Sequence, residues 1–130
     1  MNSIDHQAER KLQLLYLLNA ALLIAHEIDS AYWKEWDLFG IPGGIQFFLL
    51  LNFLLALLVL FGFALLLQGK KSGLVCSCCL SSAGVMAFLV HGYFMLTGHP
   101  EFMLPVSESI LVATFIVSVT QGFVTLRRFT

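Results

Sequence analysis

Charged side chains are scarce in this sequence. Lysine, arginine, aspartate and glutamate together make up 12% of the 130 residues, whereas a soluble domain carries about 25%. Hydrophobic residues make up 58%, so too few polar side chains remain to cover a water-soluble globule. These figures exclude a disordered chain, a nucleic-acid-binding protein and a disulfide-stapled secreted module. A small membrane protein is the class that remains.

Long apolar runs fill most of the chain. A helix needs about 20 mostly apolar residues to cross the hydrocarbon core, and a span must be helical because lipid offers its backbone no hydrogen bonds. Four runs have this length: residues 12–28, 45–67, 73–96 and 105–126. The connections between them are short. We therefore expect a single all-α domain, residues 1–130, in which four transmembrane helices form an up-down-up-down bundle.

The few basic residues are sorted between the connections. Six of the seven lie before the first run, between the second and third runs, or after the fourth: Arg10, Lys11, Lys70, Lys71, Arg127 and Arg128. Only Lys34 lies in the other set of connections. By the positive-inside rule, this asymmetry predicts that the N- and C-termini are both cytoplasmic. A cleaved signal peptide is a competing interpretation of the first run, but Asp5 and Glu9 do not fit its basic start.

Histidines and acids gather on the side opposite the bases. From the rise of a helix, His26 in the first run and His91 in the third lie at similar depth, ~7 Å below the outer boundary. Glu108 lies about one turn into the fourth run, and Asn52 about two turns into the second. Ionisable groups within spans are candidates for function. These residues predict a polar site near the outer leaflet.

Helical spacing places the polar side chains of three runs on one face each. The faces comprise Asn19, His26, Asp29 and Trp33 in the first run, Ser77, Ser81, Gly84, Phe88 and His91 in the third, and Ser107, Thr114, Ser118 and Gln121 in the fourth. Small and hydroxyl-bearing residues form packed helix interfaces in membranes. We therefore expect the three faces to converge on one interior.

The candidate site allows several kinds of chemistry. The candidate catalytic or metal-binding residues are His26, Asp29, His91 and Glu108, and the candidate lining residues are Asn52 and Trp33. Such groups support proton transfer, and they also suit a divalent metal such as zinc or iron. A small lipophilic ligand entering from the bilayer is compatible with either. The sequence leaves open whether the protein is an enzyme.

Two alternatives of a different class stay open. In the first, the protein is an accessory or structural subunit with no active site, and its polar layer fixes helix packing or contacts a membrane partner or a second copy. In the second, His26 and His91 hold a haem between them. The role of Cys76, Cys78 and Cys79 is also open, although a reducing cytoplasmic side argues against a disulfide.

The most distinctive stretch runs from Ala25 to Gln46. It reads H-E-I-D-S-A-Y-W-K-E-W from His26 to Trp36, and G-I-P-G-G from Gly40 to Gly44. This stretch resembles an uncharacterised family of small bacterial four-helix membrane proteins with an H-E-I-D-x-A-Y-W-x-E-W signature before a G-x-P-G-G turn. The resemblance implies a four-helix architecture in a bacterial inner membrane. It implies no activity.

Overall fold

The computed structural model describes residues 3–99 and 104–129, with side chains described from residue 6 onward. Within these ranges the chain forms five α-helices and no strand. The helices are α1 (Ser3–Tyr32), α2 (Glu35–Leu38), α3 (Gly44–Leu67), α4 (Lys71–Leu96) and α5 (Pro105–Leu126). The expected all-α fold class is confirmed.

Four of the helices are long and apolar enough to cross a membrane. Compared with the predicted runs, α3 begins one residue earlier, α4 begins two residues earlier, and α5 has the same bounds. α1 is longer than the first run at both ends. It begins earlier because the polar segment 7–11 contains good helix formers and no breaker. The structure is therefore that of a membrane-embedded helical protein.

Successive long helices run in opposite directions. This brings the basic connections together at one end of the bundle and the acidic connections together at the other. The start of α1, the turn between α3 and α4 and the end of α5 meet around a cavity lined by Glu9, Gly69 and Arg128. We call this the basic end, after Arg10, Lys11, Lys70, Lys71, Arg127 and Arg128. We call the opposite end the acidic end, after Glu27, Asp29, Glu35, Asp37 and Glu108.

A chain of side-chain hydrogen bonds crosses the middle of the bundle. The Ser118 hydroxyl donates to Asn19 Oδ1 at 3.0 Å, and the Asn19 amide donates to Gln121 Oε1 at 2.8 Å. The Gln121 amide then donates to Ser77 Oγ at 2.9 Å. The Thr125 hydroxyl donates its one hydrogen to the backbone carbonyl of Gln121 at 2.8 Å. In the 2.8 Å bond between Ser77 and Thr125, the Ser77 hydroxyl is therefore the donor. This network joins α1, α4 and α5, as the polar faces predicted.

Close helix packing around α4 depends on glycine. A side chain at Gly73 would overlap the backbone of α3 at Leu66, and one at Gly84 would overlap Ser118 and Thr114 of α5. Small residues let membrane helices approach this closely, so that van der Waals contacts replace the hydrophobic driving force that lipid does not supply. α4 is therefore the helix around which α3 and α5 pack.

α3 lies at the edge of the bundle. Only 11% of its most apolar segment is buried, compared with 28% for each of the other three long helices. One anchor is Tyr16 of α1, whose hydroxyl donates to the Val59 carbonyl at 2.8 Å. Gly62 leaves room for Tyr16 and for Cys76 of α4. The thiols of all three cysteines, Cys76, Cys78 and Cys79, are free.

Candidate functional site

The connection between α1 and α3 folds back over the acidic end. After Tyr32 the chain reverses at Lys34, whose φ of 54° and ψ of 47° lie in the left-handed region that non-glycine residues seldom occupy. This reversal starts the single turn of α2 and turns Glu35 and Trp36 inward, where both are buried. A glycine-rich segment, residues 40–44, then returns the chain to α3. Backbone geometry at one lysine therefore places an acid inside the bundle.

Glu35 of α2 and His91 of α4 form a buried pair. Glu35 Oε1 lies 2.9 Å from His91 Nε2, and the two residues are only 6% and 4% exposed. His91 Nδ1 lies 2.8 Å from the Ala87 carbonyl oxygen, which can only accept, so Nδ1 carries a hydrogen. One further proton lies between Nε2 and Oε1. The pair is therefore either imidazolium with carboxylate or neutral imidazole with carboxylic acid, and neither form carries net charge.

His26 of α1 packs against this pair without joining its hydrogen bonds. The ring centroids of His26 and His91 are 4.5 Å apart, and the ring planes meet at 84°. His26 is buried, and its side chain makes no hydrogen bond to another residue in the described ranges. Asp29, one turn further along α1, is half-buried and close enough to interact electrostatically with His26. The two predicted histidines are therefore in contact, with Glu35 beside His91 and Asp29 close to His26.

Glu27 extends the cluster to α3. Its carboxyl group interacts with the side-chain amide of Asn52, which also donates to the Phe48 carbonyl at 3.1 Å. Both Glu27 and Asn52 are half-buried. Glu27 also lies within electrostatic range of Glu35 and His91. Asn52 is therefore linked to the acidic end through the carboxyl group of Glu27.

Two buried hydrogen-bond donors at this end have no acceptor. The Ser30 hydroxyl and the Trp33 indole N–H are enclosed, yet neither bonds to any residue in the described parts of the chain. Ser30 is one turn beyond His26 on α1. Trp33 follows the last residue of α1, but its backbone N–H still donates to the Asp29 carbonyl at 3.1 Å, so its side chain lies one turn beyond Ser30 on the same side. An unpaired buried donor costs about 1–3 kcal/mol and normally has a water or ligand as its partner. We call His26, Ser30 and Trp33 the donor face.

The structure unites most of the residues that the sequence singled out. His26 and His91 are in contact, Asp29 is close to His26, and Asn52 is linked to the cluster. Glu108 is separate: it lies in the first turn of α5 and makes no side-chain hydrogen bond or ion pair with another described residue. An acid in that position stabilises a helix through the macrodipole. What the gathered residues do stays a prediction.

Sequence reasoning missed three residues of this cluster. Glu35 is one of the acids on the side opposite the bases, but it follows the end of α1, so no helical spacing relates it to a histidine. Ser30 is four residues after His26, and this spacing was a usable signal for a shared face. Glu27, directly after His26, gave no such signal, since adjacent helical residues point in different directions.

The arrangement does not fit a metal centre. Within the described ranges, no group of three or more histidine, cysteine, aspartate or glutamate side chains is placed to hold a metal ion. Both ring nitrogens of His91 are already engaged, with Ala87 and Glu35. Haem fits no better, because its iron and macrocycle would have to lie between two rings that are in direct edge contact.

The fold and the acidic end together define a small helical membrane protein with an enclosed polar cluster near one end of its bundle. The chain belongs to a family of unknown function, DUF6713, whose model matches residues 12–128. That range includes the whole cluster and all four of the long helices, apart from the polar start of α1. No curated protein and no solved structure matches the chain.

Proposed function

We propose that this protein resides in a bacterial inner membrane, with both termini cytoplasmic, and binds a small amphiphilic ligand at the acidic end. The observation that carries the proposal is the pair of unpaired donors, Ser30 Oγ and Trp33 Nε1, on the face that also carries His26. Hydroxyl and indole donors recognise acceptor oxygens. The ligand therefore presents an acceptor oxygen to this face.

The acids around the donor face favour an uncharged ligand. Asp29 and Glu35 interact electrostatically with His26, and Glu27 lies near Glu35. The Glu35–His91 pair carries no net charge, so Asp29 and Glu27 are the acids that would repel a phosphate or carboxylate head in a site of low dielectric. A carbonyl oxygen accepts hydrogen bonds without adding charge. A carbonyl-bearing amphiphile such as a quinone, which reaches the site from the bilayer, supplies an acceptor oxygen and carries no charge.

Quenching of Trp33 fluorescence by a quinone tests this proposal. The chain has two tryptophans, so a Trp36→Phe variant leaves Trp33 as the sole emitter, and decylubiquinone is titrated into nanodiscs containing it. We expect saturable quenching, because the quinone occupies a site beside the indole. Ser30→Ala in this background should weaken binding about fivefold, since a hydrogen bond worth ~1 kcal/mol is lost.

Ser109→Ala is the matched control for this experiment. Ser109 is also a helical serine, but it is exposed and its hydroxyl donates to the Pro105 carbonyl at 2.6 Å. Its removal should leave the quenching curve unchanged. Quenching that rises without saturation, and equally in all variants, would indicate partitioning into the bilayer. That result would contradict the ligand site and favour the accessory-subunit interpretation.

A further inference from the structure

A cavity of about 520 Å³ opens at the basic end, far from the donor face. It lies between the start of α1, the turn that joins α3 to α4, and the end of α5. Its volume falls in the range of pockets that bind small molecules, roughly 300–1,000 Å³. Neither the acidic cluster nor the hydrogen-bond network of the bundle uses this space.

The polar lining of the cavity suits a phosphate group. Lys70 and Arg128 supply positive charge, and Gln13 and Gln68 add side-chain amides. Arginine binds phosphate oxygens with two parallel hydrogen bonds, and lysine binds them as a compact charge. Lys70 also precedes the first turn of α4 and its side chain does not cap that helix, so the positive end of the helix dipole lies at the same place. Glu9 is the acid among the described lining residues.

The rest of the lining is apolar. It consists of Gly69 and four leucines, Leu12, Leu66, Leu67 and Leu74, of which Leu12 and Leu66 belong to the hydrophobic core. A soluble phosphate ester would make no apolar contacts with this surface, whereas an acyl chain would. The concentration of cations at this end also marks the membrane–water boundary, which is where phospholipid phosphates lie. The position of the cavity and its lining therefore both favour a ligand that carries a phosphate group and an acyl chain.

We propose that this cavity binds one phospholipid molecule. Lys70 and Arg128 hold its phosphodiester, the leucines contact its acyl chains, and Glu9 accepts a hydrogen bond from a hydroxyl or ammonium group of the head. Basic pockets between transmembrane helices bind lipid headgroups in this way. The site is independent of the proposed function, because it lies at the other end of the bundle and recognises an anionic group, whereas the donor face takes an uncharged ligand.

Native mass spectrometry of the whole protein, titrated with phosphatidylglycerol in detergent micelles, tests the proposal. The Lys70→Ala/Arg128→Ala variant should bind this lipid about thirtyfold more weakly, on the basis of two lost cation–phosphate contacts. Lys71→Ala/Arg127→Ala is the matched control. It removes the same charge from the same two segments, but neither residue lines the cavity, and we expect less than about a threefold change.

Two further probes separate the sources of the phosphate. Diacylglycerol has the same chains without the phosphate and should not form a saturable complex, and millimolar inorganic phosphate should not displace the lipid. Equal weakening in the two double variants, saturable diacylglycerol binding, or displacement by inorganic phosphate would each overturn the proposal. Lys70 is exposed and Arg128 half-buried, so thermal unfolding should confirm that both double variants fold.

Discussion

His91 illustrates how a single polar residue is accommodated inside a membrane bundle. A polar ring in a span needs partners, and His91 has one for each nitrogen: the Ala87 carbonyl within its own helix and Glu35 from the reversed connection. Removing one member of a buried pair is more disruptive than its net contribution suggests, because the other member is left without a partner. Glu35 therefore links α2 to α4.

Removal of the Glu35 carboxyl group should loosen α2. In Glu35→Ala, His91 Nε2 loses its partner, and a hydrogen bond to a charged group is worth about 1.5–3 kcal/mol. We expect amide hydrogen exchange in residues 35–40 to accelerate by at least about tenfold, as measured by mass spectrometry of that peptide. Glu35→Gln should fall between this variant and the parent, since its amide donates to a neutral imidazole.

Asp37→Ala provides the control for α2. Asp37 lies in the same turn of helix but is exposed, so its removal should leave the exchange of residues 35–40 unchanged. Equal acceleration in Asp37→Ala and Glu35→Ala would mean that the fold of the connection depends on its total charge. In that case the contact between Glu35 and His91 would not be what secures α2.

The histidines were predictable and Glu35 was not, for a physical reason. His26 and His91 lie in regular helices, so the rise per residue alone assigns them the same depth. Glu35 lies three residues beyond the end of α1, after the left-handed turn at Lys34. The periodicity of the side chains is interrupted there, and the contact with His91 is set by tertiary structure.

At the scale of the element, α4 owes its position to small side chains. Gly73 and Gly84 lie against α3 and α5, while Ser77 and Ser81 form hydrogen bonds with α5. Helical spacing predicted Ser77, Ser81 and Gly84 as one face, because small and polar residues reveal a packed interface in a membrane.

Adding one methyl group to α4 should have opposite effects at two glycines. Gly84→Ala places a Cβ against Ser118 and Thr114, and we expect a loss of about 1–3 kcal/mol in the free energy of unfolding. Gly92 has no atom within 4 Å of the corresponding position. Gly92→Ala should therefore stabilise the helix by about 0.5–1 kcal/mol. Unfolding in mixed micelles measures both, and a loss of the same size at the two sites would show that the effect at Gly84 does not come from its contact with α5.

The place of α3 at the edge of the bundle could not be read from its sequence. A helix that is apolar on all sides is a core helix in a soluble protein, but lipid solvates it equally well on every side. Its length and hydrophobicity therefore showed that α3 could span a membrane and said nothing about which neighbours it contacts. Those contacts depend on single atoms, such as the Tyr16 hydroxyl that reaches the Val59 carbonyl.

At the scale of the whole molecule, a net charge of −1 conceals two opposite ends. Six of the seven basic residues lie at the basic end, while the donor face is surrounded by acids at the other. The two proposed ligands follow this division, because a phosphate is attracted to one end and an uncharged carbonyl is tolerated at the other. Which leaflet each ligand meets depends on the orientation of the chain.

Accessibility of single cysteines should establish that orientation. In a variant in which Cys76, Cys78 and Cys79 are replaced by alanine, Asp37→Cys and Gln68→Cys each introduce one exposed thiol, at the acidic and the basic end respectively. A membrane-impermeant maleimide should label position 37 in intact cells and position 68 only after the membrane is opened, because the positive-inside rule predicts that the basic end is cytoplasmic. The reverse pattern would place the donor face in the cytoplasmic leaflet, and the proposed orientation would then be wrong even if both ligand sites were confirmed.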